Sequence, residues 1–221
     1  WVYQFLGLGG GGAGGGGAAL WGDGDVEYDD RDEGYLAGVV REVSTLDQYR
    51  GALSHHSDNT GLPVVVDFFS HSCGPCRQIA PAFKRIAKEF KGRAVFLKVD
   101  VNRNWEAASA CGIRGMPTFQ FYLNKKKVAE FSGADERGLS RYTNSAVEKA
   151  EEVGTYVGQA VTADALRAFY REHDPSKLEE ADGLAEKYAA KTALLMRVSG
   201  AKYGKTPEAA PRAPAGAETK A

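Results

Sequence analysis

The sequence predicts an α/β protein in which a central mixed β-sheet is flanked by helices, with a small C-terminal helical extension. Three observations indicate this class. Apolar runs of strand length alternate with amphipathic stretches of helix length between residues 36 and 152. The run at residues 64–69 is apolar except for Asp67, which is typical of a strand buried on both faces. A Cys-Gly-Pro-Cys motif separates that run from the next amphipathic stretch.

The composition limits the function classes. A chain of 221 residues can hold one or two domains, and its formal net charge of -1 comes without a basic stripe, so we expect no nucleic-acid partner. Three cysteines do not make a disulfide framework, and no secretory signal is visible, so we expect a cytoplasmic location. Because the chain starts at Trp1 without methionine, a plastid or another organelle is the alternative.

Residues 1–35 form a predicted N-terminal extension, first rich in glycine and then acidic. A membrane-spanning helix is conceivable from the length and the aromatic ends of the first part. Glycine is a poor helix former, however, and it dilutes the hydrophobicity, so we favour a flexible lead-in and an acidic linker.

Residues 36–152 form the predicted sheet domain. A strand at 39–43 is followed by a helix that Ser44 or Thr45 caps, and the segment at 58–61 should break that helix. The remaining predicted elements, in order, are a strand at 64–69, a helix at 75–90, a strand at 94–101, a short helix at 105–111, a hairpin of strands 118–122 and 127–131, and a helix at 135–152.

Residues 153–204 form the predicted helical extension. Thr162 should cap its first helix, Asp174 and Pro175 should begin the second, and residues 192–203 should form the third. Their apolar faces could pack on the preceding domain, form a separate small bundle, or bind a protein partner. Residues 205–221, rich in proline and alanine, are predicted to be disordered.

The Cys73-Gly74-Pro75-Cys76 motif is a candidate redox dithiol. Two thiols with this spacing at a helix N-terminus can close a small ring, and the positive end of the helix dipole stabilises the first thiolate. Cys73 is therefore the expected nucleophile. Half of a zinc site is a weaker alternative, because neither Cys111 nor the histidines supply a second ligand pair at suitable spacing. A pair of inert buried cysteines is weaker still.

Six segments resemble the thioredoxin family over residues 37–152, about half of the chain. They are Val66-Asp67-Phe68, the motif at 73–76, Ile79-Ala80-Pro81, the strand at 96–101, the loop at 112–118 and the turn at 131–134. The resemblance implies a thioredoxin fold and a protein-disulfide oxidoreductase without a metal or a bound organic cofactor. It also implies protein disulfides as substrates and a thioredoxin reductase as the electron donor.

The resemblance implies a role for each site residue. Cys73 would form a mixed disulfide with the substrate, and Cys76 would resolve it. Asp67 would be a desolvated carboxyl with a raised pKa that takes a proton from Cys76, although a carboxyl satisfied by backbone is the plainer alternative. Pro117 would follow a cis peptide bond. The implied substrate-binding residues are Gly74, Pro75, Met116, Pro117, Gly133 and Ala134.

The chain departs from the family pattern beside the motif, where Ser72 and Phe69 stand at positions that often hold tryptophan. His71 would lower the pKa of Cys73 if it lay close, and Cys111 is expected to be an inert thiol. The competing hypothesis for the whole chain is a docking or accessory subunit of a larger assembly, in which the redox activity is secondary.

Overall fold

The computed structural model describes residues 37–156, 159–189 and 191–211. The predicted N-terminal extension and residues 212–221 of the predicted disordered tail lie outside these ranges. The elements of the sheet domain are β1 (Val40–Glu42), α1 (Leu46–His55), β2 (Val64–Phe69), α2 (Gly74–Glu89), β3 (Val95–Asp100), α3 (Trp105–Ala110), β4 (Thr118–Leu123), β5 (Lys126–Ser132) and α4 (Glu136–Val153).

The C-terminal part forms a second set of elements. They are β6 (Gln159–Ala160), α5 (Ala163–His173), a 3-10 helix (Pro175–Glu180), α6 (Ala181–Lys187), α7 (Thr192–Tyr203) and β7 (Ala210–Pro211). Among the described residues, no helix combines the length and the apolar character needed to cross a membrane.

The five strands of the sheet domain run in the order β1-β3-β2-β4-β5. The first three strands are parallel, whereas β4 is antiparallel to β2, and β5 is antiparallel to β4. This is the predicted mixed sheet, with the predicted order of strands and helices. The strand β2 lies at its centre, and five of its six residues are buried, which explains its continuous apolar sequence.

A hydrophobic core lies on each face of this sheet, because successive side chains of a strand point to opposite faces. On one face, Val64, Val66 and Phe68 of β2 pack in a cluster with residues of α1 and α3. On the other face, Val65 of β2 packs in a cluster with residues of α2 and α4. Asp67 follows Val65 in this alternation and therefore faces the layer of α2.

The pairing of β2 with β4 defines two ends of the sheet. At the end that we call the carboxyl pole, Phe68 of β2 pairs with Thr118, so that the loops after β2 and before β4 lie together. At the opposite end, the amino pole, Val64 pairs with Tyr122, close to the hairpin turn at Asn124. The segment after β2 therefore lies beside the loop before β4, whereas the segment before β2 lies beside the hairpin turn.

The break predicted at residues 58–61 is confirmed at Gly61, although residues 58–60 are still helical. The chain continues from α1 into a π-helical turn at His56–Thr60 and leaves the helical conformation only at Gly61, whose φ of 71° is left-handed. The Gly61 N–H donates to the His56 carbonyl at 2.7 Å, which closes the turn. Its buried residues include His56 and Ser57.

The C-terminal helices form their own small core and also pack on the sheet domain. Their buried core residues include Leu166, Phe169 and Met196, from α5 and α7. In addition, Arg197 of α7 donates to the Ser57 carbonyl and to Asn124 Oδ1, both at 2.7 Å. Two of the three predicted arrangements of this extension therefore occur together, and the extension covers the amino pole.

One prediction for this part is confirmed and one is wrong. Asp174 and Pro175 begin the second helix, as predicted, but this helix is a 3-10 helix. The Asp174 carboxylate makes no side-chain cap, because it is held by Ser176, Lys202 and Tyr203. The disorder predicted from residue 205 does not extend over residues 205–211, because Ala210–Pro211 pairs with Gln159–Ala160. This pairing ties the described end of the chain to the start of the extension.

Candidate active site

The junction between β2 and α2 places Cys73 at the N-cap position of α2. Its backbone is extended, with φ -79° and ψ 113°, and its carbonyl accepts the first helical hydrogen bond, from Arg77 N–H at 3.2 Å. Pro75 fits the first turn because a helix leaves the N–H groups there without intrahelical partners. The Cys76 N–H donates to Cys73 Sγ at 3.1 Å, so the side chain of Cys73 caps the helix.

Cys73 and Cys76 form a disulfide with a Cα–Cα distance of 5.3 Å. The two residues differ in exposure, since Cys73 is half-buried and Cys76 is only 3% exposed. In the reduced state, the same N–H group and helix N-terminus would stabilise a thiolate on Cys73. The arrangement therefore offers one accessible nucleophile and one sheltered partner.

The loop before β4 reaches the dithiol. The Met116–Pro117 peptide bond is cis, as predicted, and the Met116 carbonyl oxygen lies 3.7 Å from Cys73 Sγ. Met116 is 40% exposed, and among the described residues its backbone makes no hydrogen bond with other backbone. A backbone of this kind, next to a reactive sulfur, can pair with an extended substrate segment.

The turn after β5 lies beside the same loop. Gly133 N–H donates to the Pro117 carbonyl at 2.9 Å, and Ala134 next to it is exposed. The predicted role of the free Gly133–Ala134 backbone therefore needs a correction, because the Gly133 N–H is already engaged within the chain. Gly133 has a φ of 102°, which favours glycine at this position.

Asp67 is a buried carboxyl without a complete set of partners. The residue is 4% exposed, and its Oδ1 has no hydrogen-bond partner among the described residues. Burial raises the pKa of Asp67 to about 7, although the charge of Lys98 acts in the opposite direction. The Nζ of Lys98, the register partner of Asp67 on β3, is bound 2.7 Å from Glu42 Oε2. The carboxyl is therefore desolvated, and its hydrogen bonds do not satisfy both oxygens. Its role as a proton acceptor stays a prediction.

The loop between Phe69 and Cys73 is bound to the loop after β3. The His71 ring lies against Phe69, and its Nε2 is 3.5 Å from Asp100 Oδ2, so the described contacts of the ring are with these residues rather than with Cys73. Asn102 Nδ2 donates to Ser70 Oγ at 2.8 Å. Ser70 and Asn102 were not predicted from the sequence, where the only signal was a polar residue shortly after the end of each strand.

Cys111 belongs to a different part of the molecule. It lies in the core on the α1 face of the sheet, 8% exposed, with its Sγ 3.2 Å from Tyr49 Oη. Burial raises the pKa of the Cys111 thiol, while its hydrogen bonds with Tyr49 and Tyr122 oppose this effect. A buried thiol with a raised pKa is a poor nucleophile. Among the described residues, no group of three or more His, Cys, Asp and Glu side chains could hold a metal ion.

The fold and the Cys73–Cys76 pair define a thiol–disulfide oxidoreductase. Comparison with known proteins gives the same class. The family model named Thioredoxin matches residues 42–145. The chain is 42% identical over 107 residues to thioredoxin of Ictalurus punctatus, with 48% of this chain and 97% of the relative covered. The identity to thioredoxin of Gallus gallus is 39% over 109 residues, with 49% and 100% covered.

The X-ray structure of Fasciola hepatica thioredoxin shares 40% sequence identity with this chain, covers 48% of it and 98% of its own length, and superposes with a TM-score of 0.45. On the sequence matches, the chain belongs to the thioredoxin family. The family match ends at residue 145, before the helical extension.

Proposed function

We propose that this chain reduces disulfides in other proteins through a mixed disulfide at Cys73. The Cys73 thiolate attacks one sulfur of the substrate disulfide, which forms the mixed disulfide and releases the other sulfur as a thiolate. The Cys76 thiolate then attacks Cys73 Sγ and releases the second substrate sulfur. The substrate gains two electrons and two protons, and the chain is left with the Cys73–Cys76 disulfide.

The observation that carries this proposal is the unequal exposure of the two cysteines in the closed pair. Because Cys73 is accessible and Cys76 is 3% exposed, a protein disulfide can meet only the first sulfur. The Met116 carbonyl oxygen lies 3.7 Å from that sulfur, which supports a substrate segment that extends along Met116. We propose that Met116 and Pro117, with Gly74, Pro75 and Ala134, form the contact surface for this segment.

Asp67 supplies the proton acceptor in this scheme. Cys76 must lose its proton before it can attack, and it lies on the helix layer that Asp67 faces. A carboxyl with a pKa of about 7 is partly ionised at neutral pH, so it can take that proton directly or through a water molecule. A carboxyl with an ordinary pKa would be a weaker base for this step.

Regeneration of the dithiol needs a separate electron donor. We propose a thioredoxin reductase, because the family resemblance implies one. The donor would reduce the Cys73–Cys76 disulfide by the reverse exchange.

Reduction of insulin tests the proposal. The full chain, supplied with a reductase or with dithiothreitol, should reduce the insulin disulfides, and Cys73→Ser should reduce them no faster than the reductant alone. Cys111→Ala is the matched control, since Cys111 lies on the other face of the sheet, and it should keep the activity of the wild type. Equal turnover by the wild type and Cys73→Ser would contradict the proposal.

The competing docking role has one specific observation against it. Among the described residues, the large hydrophobic side chains that are exposed are Val39, Trp105, Met116 and Val153, and none of them lies in residues 159–211. The apolar side chains of the extension are packed in its own core. A protein partner bound through these helices stays a prediction, and such a partner would have to recognise a polar surface.

A further inference from the structure

Ser70 lies at the centre of the contacts that hold the loop before Cys73. It follows the last residue of β2 and is 2% exposed, although it carries a hydroxyl group. Its carbonyl accepts a hydrogen bond from the Cys73 N–H at 3.1 Å. Its Oγ lies 3.0 Å from Ser72 Oγ. One buried residue therefore contacts both the nucleophile and the residue directly before it.

Asn102 holds Ser70 from the neighbouring loop. Its side-chain Nδ2 donates to Ser70 Oγ at 2.8 Å, and its backbone N–H donates to Asp100 Oδ1 at 3.0 Å. The Val101 N–H also donates to the Phe69 carbonyl at 3.0 Å, which joins the same two loops through their backbones. Because Asn102 is tied to its own loop in this way, it can act as a fixed donor.

Ser70 Oγ joins Asn102 to Ser72. Since Ser70 Oγ accepts from Asn102, its own O–H is available to donate to Ser72 Oγ. A chain of two hydrogen bonds thus runs from Asn102 through Ser70 to Ser72, where many family members carry a tryptophan. A buried polar chain in which the groups have partners fixes the conformation of its loop.

We infer that Asn102 and Ser70 are positioning residues, which hold the loop at residues 70–73 so that Cys73 keeps its N-cap geometry on α2. The inference rests on the proposed function, because that function makes Cys73 the reacting group. Loss of either residue leaves the disulfide chemistry possible. It lets the loop move, so that Cys73 Sγ spends less time beside the Cys76 N–H, which lies 3.1 Å away.

The test uses the full chain in its reduced form and measures the alkylation of Cys73 by iodoacetamide as a function of pH. Asn102→Ala removes the donor, and Ser70→Ala removes the hydroxyl with little change in volume. In each variant the midpoint of the pH profile should rise by about 0.5, which lowers the rate about threefold well below the midpoint. The double variant should show the same shift as each single variant, because both act through one chain of hydrogen bonds.

Asn144→Ala is the matched control, since Asn144 also donates from its amide, to the Ser140 carbonyl, but lies on α4. Its profile should coincide with that of the wild type. A midpoint that stays unchanged in Asn102→Ala and Ser70→Ala, even with a lower Tm, would overturn the inference, and so would additive shifts in the double variant. Alkylation needs no protein substrate, so a failure of the proposed function would appear separately, as wild-type protein that alkylates normally but does not reduce insulin.

Discussion

The two ends of the central sheet are organised differently. At the carboxyl pole, loops surround a half-buried Cys73 and an exposed Met116, and a buried carboxyl oxygen of Asp67 lacks a partner among the described residues. At the amino pole, α7 covers the turn before β2, and Arg197 hydrogen bonds to Ser57 and Asn124. The contrast indicates that this chain keeps one end open for chemistry and adds its extension to the other end. Changes at the two ends should therefore have separable effects.

The largest effect is expected for Asp67→Asn. Removal of the proton acceptor should lower disulfide reduction at pH 7 by at least about tenfold, in a stopped-flow measurement of dithiol oxidation. The matched control is Asp47→Asn, whose side chain is 74% exposed on α1 and which should retain the wild-type rate. Wild-type kinetics in Asp67→Asn would remove Asp67 from the mechanism.

The same variant should be more stable than the wild type, increasingly so at higher pH. The pKa of Asp67 is about 7 in the folded chain, above the value of about 3.9 expected in the unfolded chain, so the folded state binds the proton more tightly. Its contribution to stability is greatest below pH 4 and is lost as the pH rises through 7. At pH 8, Asp67→Asn should gain up to about 4 kcal/mol in the free energy of unfolding.

Guanidinium unfolding curves at pH 5 and pH 8 measure this difference. The gain of Asp67→Asn over the wild type should be larger at pH 8 than at pH 5, whereas Asp47→Asn should show a much smaller change with pH. A gain for Asp67→Asn that decreases from pH 5 to pH 8 would show that the carboxyl is stabilised in its charged form.

Arg197→Ala tests the amino pole. Its effect on the free energy of unfolding should be smaller than that of Asp67→Asn and should be a loss rather than a gain. The side chain of Arg197 is 29% exposed and binds Ser57 and Asn124, so its loss should destabilise the chain by about 2 kcal/mol. Insulin reduction at 25 °C should stay at the wild-type rate, because the dithiol lies at the other end. A loss of activity without a loss of stability would show that the two ends are coupled.

The matched control for this variant is Arg167→Ala, which removes an arginine from α5 within the extension. Arg167 pairs with Asp164 and Asp182 at the surface, and both partners belong to the extension. Its loss should lower the thermal midpoint much less than the loss of Arg197.

The smallest effect is expected for Lys125→Ala, also at the amino pole. Lys125 Nζ lies 2.9 Å from Asp58 Oδ2, and its side chain is 34% exposed, so solvent weakens this ion pair. Removal should cost about 0.5 kcal/mol at low salt and less in 1 M NaCl. Urea unfolding at both salt concentrations checks this, and a cost that is independent of salt would point to packing rather than charge.

Local sequence patterns predicted most of the sheet domain. The central strand followed from an apolar run, and the first helix followed from its spacing and from Thr45, which accepts a hydrogen bond from the Gln48 N–H at 3.1 Å. The cis bond before Pro117 followed from the family resemblance alone, because most bonds before proline are trans.

The contacts between distant segments could not be predicted in this way. Ser70 and Asn102 are 32 residues apart, and Arg197 and Ser57 are 140 apart, so no periodicity relates them. Asp174 followed a valid capping pattern, but Lys202 and Tyr203 compete for its carboxylate once α7 has folded against it. The side-chain cap expected at Asp174 is absent because tertiary contacts replace the local hydrogen bond.

The most direct test of the central claim is to trap the mixed disulfide with Cys76→Ser. Reduced Cys76→Ser mixed with an oxidised protein substrate should form a stable covalent adduct, and peptide mass spectrometry should place the linkage at Cys73. Cys73→Ser, which retains the buried Cys76, should form no such adduct under the same conditions. Absence of the Cys73 adduct, or an adduct at Cys76 in Cys73→Ser at a similar rate, would contradict the assignment of Cys73 as the accessible nucleophile.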